Sequence, residues 1–303
     1  MADVHMITGA FGYSGRAIAT RLLDAGEEVR TITGHVHRDD PFGGRVSIAR
    51  LAFDEPGELR RALEGVTVLY NTYWVRFDHG RNTHDAAVRN TRALIDAAVA
   101  AGVERLVHVS ITNPSLDSPL PYFRGKAELE GALASSGLSH AILRPAVLFG
   151  GRDVLINNIA WLLRRLPLFA IAGDGSYGIQ PIHVDDQAAL AVTLGAQRNN
   201  VVVDAVGPEA FTFEELVRLV RGAVDSRSRI LHVPPSLLHV AAWAAGLVLR
   251  DVVLTRDEID GLMANLLVSD DDPTGTTRFT DWLGRHAEEL GRRYANELKR
   301  HYR

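Results

Sequence analysis

The sequence predicts an α/β fold, a doubly wound parallel sheet with a smaller, mostly helical C-terminal lobe. Three observations carry that prediction. Apolar strand-like runs alternate with helix-like runs over the first half of the chain, the pattern of a sheet covered on both faces. The first strand passes into the first helix through glycines spaced by three, Gly9, Gly12 and Gly15. Beyond Gly150 the rhythm loosens into helical runs separated by short strands. Residues 1–150 are therefore expected to form the sheet domain and residues 151–303 the lobe, with some segments returning to the main sheet.

Taken in order, Val4, Met6 and Ile7 give a short apolar strand, and Ala17, Ile18, Leu22 and Leu23 follow the glycines at helical spacing. The residues after Gly26 read as a second strand over 28–33, and 46–49 as a third. Helix 56–63 leads to strand 66–71, and a long helix over 81–101 stops at Gly102, a residue suited to the left-handed turn that ends many helices. Strand 105–110, a loop rich in Pro and Ser, helix 122–135 and strand 141–144 bring the strands to six. Ligands of such a sheet sit at the carboxyl ends of its strands. In the lobe, helices are expected over 155–165, 184–196, 213–224, 237–249, 257–267 and 281–301, with a strand at 201–204.

Hydrophobic residues make up 46% of the 303, ample for a buried core. A formal charge of −4 gives no sign of a nucleic-acid partner. Cysteine is absent, which excludes disulfides and thiolate chemistry and leaves zinc only His and carboxylates. No metal is expected, because His183-Val-Asp-Asp186 reads better as a helix start and Asp270-Asp-Asp272 as a solvated turn. The apolar run 237–249 ends at Arg250 and Asp251, short of the ~20 residues a membrane span needs, so a buried helix or pocket wall is expected. With a core strand starting at residue 3, no signal peptide and a cytoplasmic location are expected.

The opening loop has a chemical reading. A dinucleotide pyrophosphate needs a backbone that turns sharply after the strand, lets the anion come close, and presents the unpaired N–H groups of a helix start. That reading makes the first domain a Rossmann-type NAD(P) site. An ordinary tight βα turn would carry the same glycines, and the spacing is G-x-x-G-x-x-G rather than G-x-G-x-x-G. At the end of the second strand no acid is placed to grip the ribose hydroxyls, while His35, His37 and Arg38 follow. A cation without a carboxylate suits a 2′-phosphate, so NADP is preferred over NAD, with Asp39 and Asp40 the acids that could swing back.

Tyr122 and Lys126 share one helical face a turn apart. An ammonium pulls a neighbouring phenol's pKa down, so the pair can exchange a proton with a substrate oxygen. Tyr-x-x-x-Lys alone is a common pattern. Ser110, at the end of a strand that faces the crevice, can hold a carbonyl or alcohol oxygen, and Thr112 could share that role. The plainer readings are a strand-end serine and an amphipathic cover tyrosine. His79 and His84 flank the start of the long helix. For substrate contact the lobe offers Trp161, Phe169, Tyr177 and Trp243, with Arg144, Arg152 and Arg164 nearby in sequence; these suit a hydrophobic ring or a phosphorylated sugar.

Together, Thr8-Gly-Ala-Phe-Gly-Tyr-Ser-Gly15, Asn71-Thr-Tyr73, Asn90, His108-Val-Ser110, Tyr122-x-x-x-Lys126 and Leu143-Arg-Pro-Ala-Val-Leu-Phe-Gly150 resemble the short-chain dehydrogenase/reductase superfamily, in its extended or atypical branch. Within that branch the chain looks most like the NADH dehydrogenase alpha subunit 9 relatives and bacterial nucleoside-diphosphate-sugar epimerase-like proteins, over residues 1–225 at motif level. The resemblance implies Tyr122 as general acid/base, Lys126 lowering its pKa and holding the nicotinamide ribose, Ser110 orienting the reacting oxygen and Asn90 supporting a water relay. It implies a cofactor held by Gly9, Phe11, Gly12, Tyr13 and Gly15, with His35, Arg38 and Asp54 toward the adenosine end and Asn71, Thr72, Lys126 and Pro145 along it. Where many members carry Ser or Thr directly after the serine, this chain has Ile111. The expected activity is NAD(P)-dependent oxidoreduction or epimerisation at an alcohol or ketone carbon. Some members bind nucleotide and catalyse nothing, so an NADP-binding redox sensor or assembly protein is the alternative, and a membrane-associated subunit a third reading. A small-molecule substrate is the expected partner, and a homodimer is allowed.

Overall fold

Strands of the first half carry apolar side chains in both directions, and the fold buries both sets. The computed structural model describes residues 3–34 and 40–301, and the chain folds as two units. Unit one comprises the described residues of 1–145 together with 184–205, and unit two 146–183 with the described residues of 206–303.

Unit one begins with β1 (Val4–Thr8), α1 (Tyr13–Asp24), β2 (Glu28–Thr33), β3 (Ser47–Arg50), α2 (Pro56–Ala62) and β4 (Val68–Asn71). It continues through α3 (His84–Ala101), β5 (Arg105–Val109), α4 (Pro121–Ser135) and β6 (Ser139–Pro145). The chain then makes β7 (Val147–Phe149), α5 (Leu155–Arg165), β8 (Leu168–Ala172), β9 (Gly178–Ile179) and β10 (Pro181–His183) in unit two. It returns to unit one for α6 (Val184–Gly195) and β11 (Val201–Ala205). Unit two closes with β12 (Phe211–Thr212), α7 (Phe213–Ala223), β13 (Arg229–Val233), α8 (Pro235–Leu249), α9 (Arg256–Met263), α10 (Phe279–His286) and α11 (Glu297–His301).

The main sheet has seven strands in the order β11-β6-β5-β4-β1-β2-β3, and every pairing is parallel. Six were expected from the first half; β11 makes the seventh after the excursion through unit two. Alternate residues feed two cores, as strand geometry requires. Ile7, Tyr70, Val107 and Leu143 pack with α1 and α6 through Ile18, Leu22, Ala188 and Leu194. Met6, Leu69, Leu106 and Ile142 pack on the opposite face with Leu59 of α2, Leu94 of α3 and Leu133 of α4. Arg105, 1% exposed, secures the inserted segment by donating to the Leu194 and Asn199 carbonyls at 2.7 and 3.0 Å and to Ser139 Oγ at 2.6 Å.

Unit two packs α5, α7 and α10 around Phe149, Phe213, Phe279 and Trp282. It is less purely helical than expected, because three two-stranded sheets, β7 with β10, β8 with β13 and β9 with β12, brace it. The single helix expected over 281–301 is two short ones. Gly291 takes φ +70° between them, and side chains of α5 hold the linking backbone: Asn158 pairs both ways with Ala295, and Arg164 and Arg165 donate to the carbonyls of Ala287, Leu290, Gly291 and Arg292. Other ends moved by a few residues for local reasons. Thr83 accepts from Ala86 N–H and starts α3 at His84 rather than 81, and Asn265 at φ +59° lies just past the end of α9. Gly102 ends α3 in the left-handed conformation, as the sequence predicts. Among the described residues no helix is long and apolar enough to cross a membrane.

Candidate active site

The turn after β1 shows why its glycines are there. Gly9 takes φ +70° and donates to the Ile32 carbonyl, while Gly12 donates back to the Gly9 carbonyl at 2.8 Å. A Cβ on Gly15 would run into that same Gly9 carbonyl, so α1 lies against the turn only because residue 15 is glycine. Helix α1 has Gly12 as its N-cap, no side-chain cap and no acid in its first turn. What fits a diphosphate here is the start of α1, a helix N-terminus with no carboxylate of its own to compete. The Phe11 ring, 5% exposed, packs against Phe42 with ring centres 6.2 Å apart.

Next to the turn, the ends of β1, β4 and β5 are laced together. Asn71, fully buried, accepts from Thr8 Oγ1 at 3.1 Å and from Tyr73 N–H at 3.1 Å, and its amide meets His108 Nδ1 at 3.0 Å. Thr8 Oγ1 also accepts from the Thr72 N–H at 2.7 Å, and the Thr72 hydroxyl donates to the Thr8 carbonyl. Asn71, expected along the cofactor, thus has its side chain bonded within the protein. With the amide donating, His108 Nδ1 is an acceptor and Nε2 carries the proton. Burial, reinforced by the charge of Lys126, holds His108 well below its ordinary pKa, so the ring is neutral.

Helix α4 carries the central pair. Lys126 is 2% exposed; its ammonium donates to the Val109 carbonyl at 2.7 Å and lies 4.4 Å from the centre of the Trp74 ring. Burial pulls its pKa down to about 7, with Glu130 acting in the opposite direction. Tyr122 sets its ring edge-on to Trp74 at 5.6 Å and to His84 at 5.7 Å. Trp74 therefore touches both members of the pair, and α4 can come this close because Gly125 lies 3.0 Å, measured from an ideal Cβ, from Trp74 and Val88. His84 is fixed by Asp78, whose carboxylate meets Nδ1 at 3.0 Å.

Ser110 stands at the end of β5, 3% exposed, and its hydroxyl donates to Glu130 at 2.5 Å. Arg144 of β6 grips the same carboxylate through Nε and Nη2. Ser110 was expected to orient a reacting oxygen; with its proton on Glu130 it offers only lone pairs. Thr112 is fully buried, and its N–H donates to the Pro145 carbonyl at 3.1 Å. Asn90, expected in a water relay, donates its amide to the Tyr73 hydroxyl at 2.9 Å.

Asp54 is exposed in the turn after β3. His35, His37, Arg38 and Asp39, on which the choice of cofactor rests, lie outside the described residues. His79 pairs its backbone with Asn82. Several substrate candidates are structural: in the lobe, Phe169 and Tyr177 are core residues of unit two and Arg164 serves carbonyls, while Arg144 of β6 pairs with Glu130. Sequence reasoning missed Trp74, Asp78 and Glu130. Of these Glu130 had a signal, an acid one helical turn beyond Lys126.

Residues 9–156 match a family model described as NAD(P)H-binding. The chain is 23% identical over 288 residues to the mitochondrial NADH dehydrogenase [ubiquinone] 1 alpha subcomplex subunit 9 of Arabidopsis thaliana, covering 88% of this chain and 71% of that one. It is 25% identical over 245 residues to the photosystem II assembly factor Ycf39 of Cyanophora paradoxa, covering 78% and 73%. In fold it matches a Citrobacter sp. triphenylmethane reductase, solved with NADP(H), with TM-score 0.75 at 18% identity over 94% of this chain and 99% of that one.

Proposed function

We propose that this chain, whose residues 9–156 match a family model described as NAD(P)H-binding, is an enzyme of the short-chain dehydrogenase/reductase kind that reduces, oxidises or epimerises an alcohol or ketone carbon. When bound, the nicotinamide supplies or accepts the hydride. Gly9, Gly12, Gly15 and the start of α1 would receive the pyrophosphate, and Lys126 would meet the nicotinamide ribose. Tyr122 is the proton carrier: its phenol protonates a nascent alkoxide in reduction and takes the alcohol proton in the reverse direction. Ser110 accepts a hydrogen bond from a substrate hydroxyl, the one role its bond to Glu130 leaves open. NADP is the proposed cofactor, since β2 ends without an acid and the basic residues His35 and Arg38 follow.

One observation carries this reading: Lys126, an ammonium almost wholly out of water, to which no carboxylate bonds directly among the described residues. A fold keeps such a costly group where a ligand uses it. The test has two steps. NADPH should quench the tryptophan fluorescence saturably. Tyr122→Phe should then keep NADPH affinity within about twofold while turnover with a panel of quinones, ketones and nucleoside-diphosphate sugars falls roughly 100-fold or more.

A second reading, a redox-sensing or assembly protein that only binds the nucleotide, is favoured by the likeness to the assembly factor. Turnover unaffected by Tyr122→Phe, or none with any of the panel despite tight NADPH binding, would favour it over the enzyme.

A further inference from the structure

Only two of the 33 basic residues other than histidine are lysines, Lys126 and Lys299, so nearly all of the chain's positive charge is arginine. One of the two lysines is buried at the site, and the nearest acid on its helix face is Glu130, four residues on. Glu130 is itself 8% exposed and joins three elements, α4, the end of β5 through Ser110, and β6 through Arg144. We propose that Glu130 is the positioning residue of the site, a buried carboxylate that orients Ser110 and keeps the Lys126 ammonium charged, to a degree that Arg144 limits. The proposal rests on the reading of Lys126 as the group that meets the nicotinamide ribose.

The electrostatics set the signs. Burial works against the charge on Lys126 and the field of Glu130 sustains it. Among the described residues, Tyr122 lies on the same helix as Lys126 and neutral His108 on β5, and neither can replace a carboxylate. Arg144, bonded to the Glu130 carboxylate, offsets part of that field. A carboxylate held by a bidentate guanidinium supports a neighbouring ammonium less than a bare one does. Charge removal at Glu130 and at Arg144 should therefore push Lys126 in opposite directions. A merely architectural ion pair predicts the same effect from either loss.

Lysine labelled with carbon-13 at Cε gives two side-chain signals in the whole protein, and Lys126→Arg identifies the one from the site. Glu130→Gln keeps an oxygen for Ser110 and removes the charge. It should lower the Lys126 midpoint by about one pH unit, a tenfold loss of charged lysine at a given pH above it. Arg144→Gln should raise the midpoint, and Glu130→Asp should leave it within about half a unit of the wild type. Shifts of the same sign in the Gln variants, or no shift in either, overturn the proposal. If Glu130→Gln does not fold, the sign of the Arg144→Gln shift decides alone. NADPH titration of the wild type reads the cofactor assignment separately: a protein that shows both opposite shifts and no NADPH binding keeps Glu130's role and loses the function proposed above.

Discussion

At the scale of single residues, Gly15 makes the sharpest prediction. Gly15→Ala puts a methyl group against the Gly9 carbonyl, and the turn must open to admit it. Overpacking of this kind costs roughly 1–3 kcal/mol, and NADPH affinity should fall about tenfold or more, read by thermal melting and by fluorescence titration. That position was legible in the sequence as the third of the glycines spaced by three between the first strand and the first helix. The directions of polar side chains were not. Asn71, Ser110 and Asn90 were all recognised as site residues, yet each bonds a partner 17 to 37 residues away in the chain, Tyr73, Glu130 or His108. No periodicity encodes such pairs; they exist only once β4, β5, α3 and α4 have packed.

At the scale of elements, α5 carries a buried carboxyl at its start. Asp153, 3% exposed, accepts from the N–H groups of Ile156 and Asn157 at 2.8 and 3.2 Å. Burial outweighs those bonds and pushes its pKa up to about 6. The folded state therefore holds a proton that the unfolded chain releases near pH ~4, and stability falls as pH rises from about 4 to 6. Asp153→Asn retains an acceptor for both N–H groups and removes the charge. It should melt about 3–6 °C higher than the wild type at pH 8 and within about 1 °C of it at pH 4. An unchanged melting temperature at pH 8 would show that the carboxylate is not destabilising. Helices and strands of the first half were readable because their apolar spacing and their punctuation agree, as at Gly102. The last stretch misled because Arg and Glu at helical spacing describe a solvated helix well, while the left-handed Gly291 and the side chains of α5 that hold the backbone there are tertiary facts.

For the whole molecule, the cofactor assignment predicts linkage. A ligand held only by the native state at about 100 times its Kd adds about 2.7 kcal/mol, so NADPH should raise the melting temperature by about 5 °C. NADH at the same concentration should raise it by less; equal shifts would remove the preference for NADP. Six of the sheet's strands were legible, though not their order, and the seventh was visible only as a short apolar run at 201–204 whose destination the sequence does not name. Its placement has a consequence during synthesis. The flank of β6 that β11 covers stays bare until residue 205 has left the ribosome, well after the other six strands have been made. A nascent chain is thus most open to wrong pairing, with another polypeptide or a chaperone, over the interval in which residues 146–200 emerge.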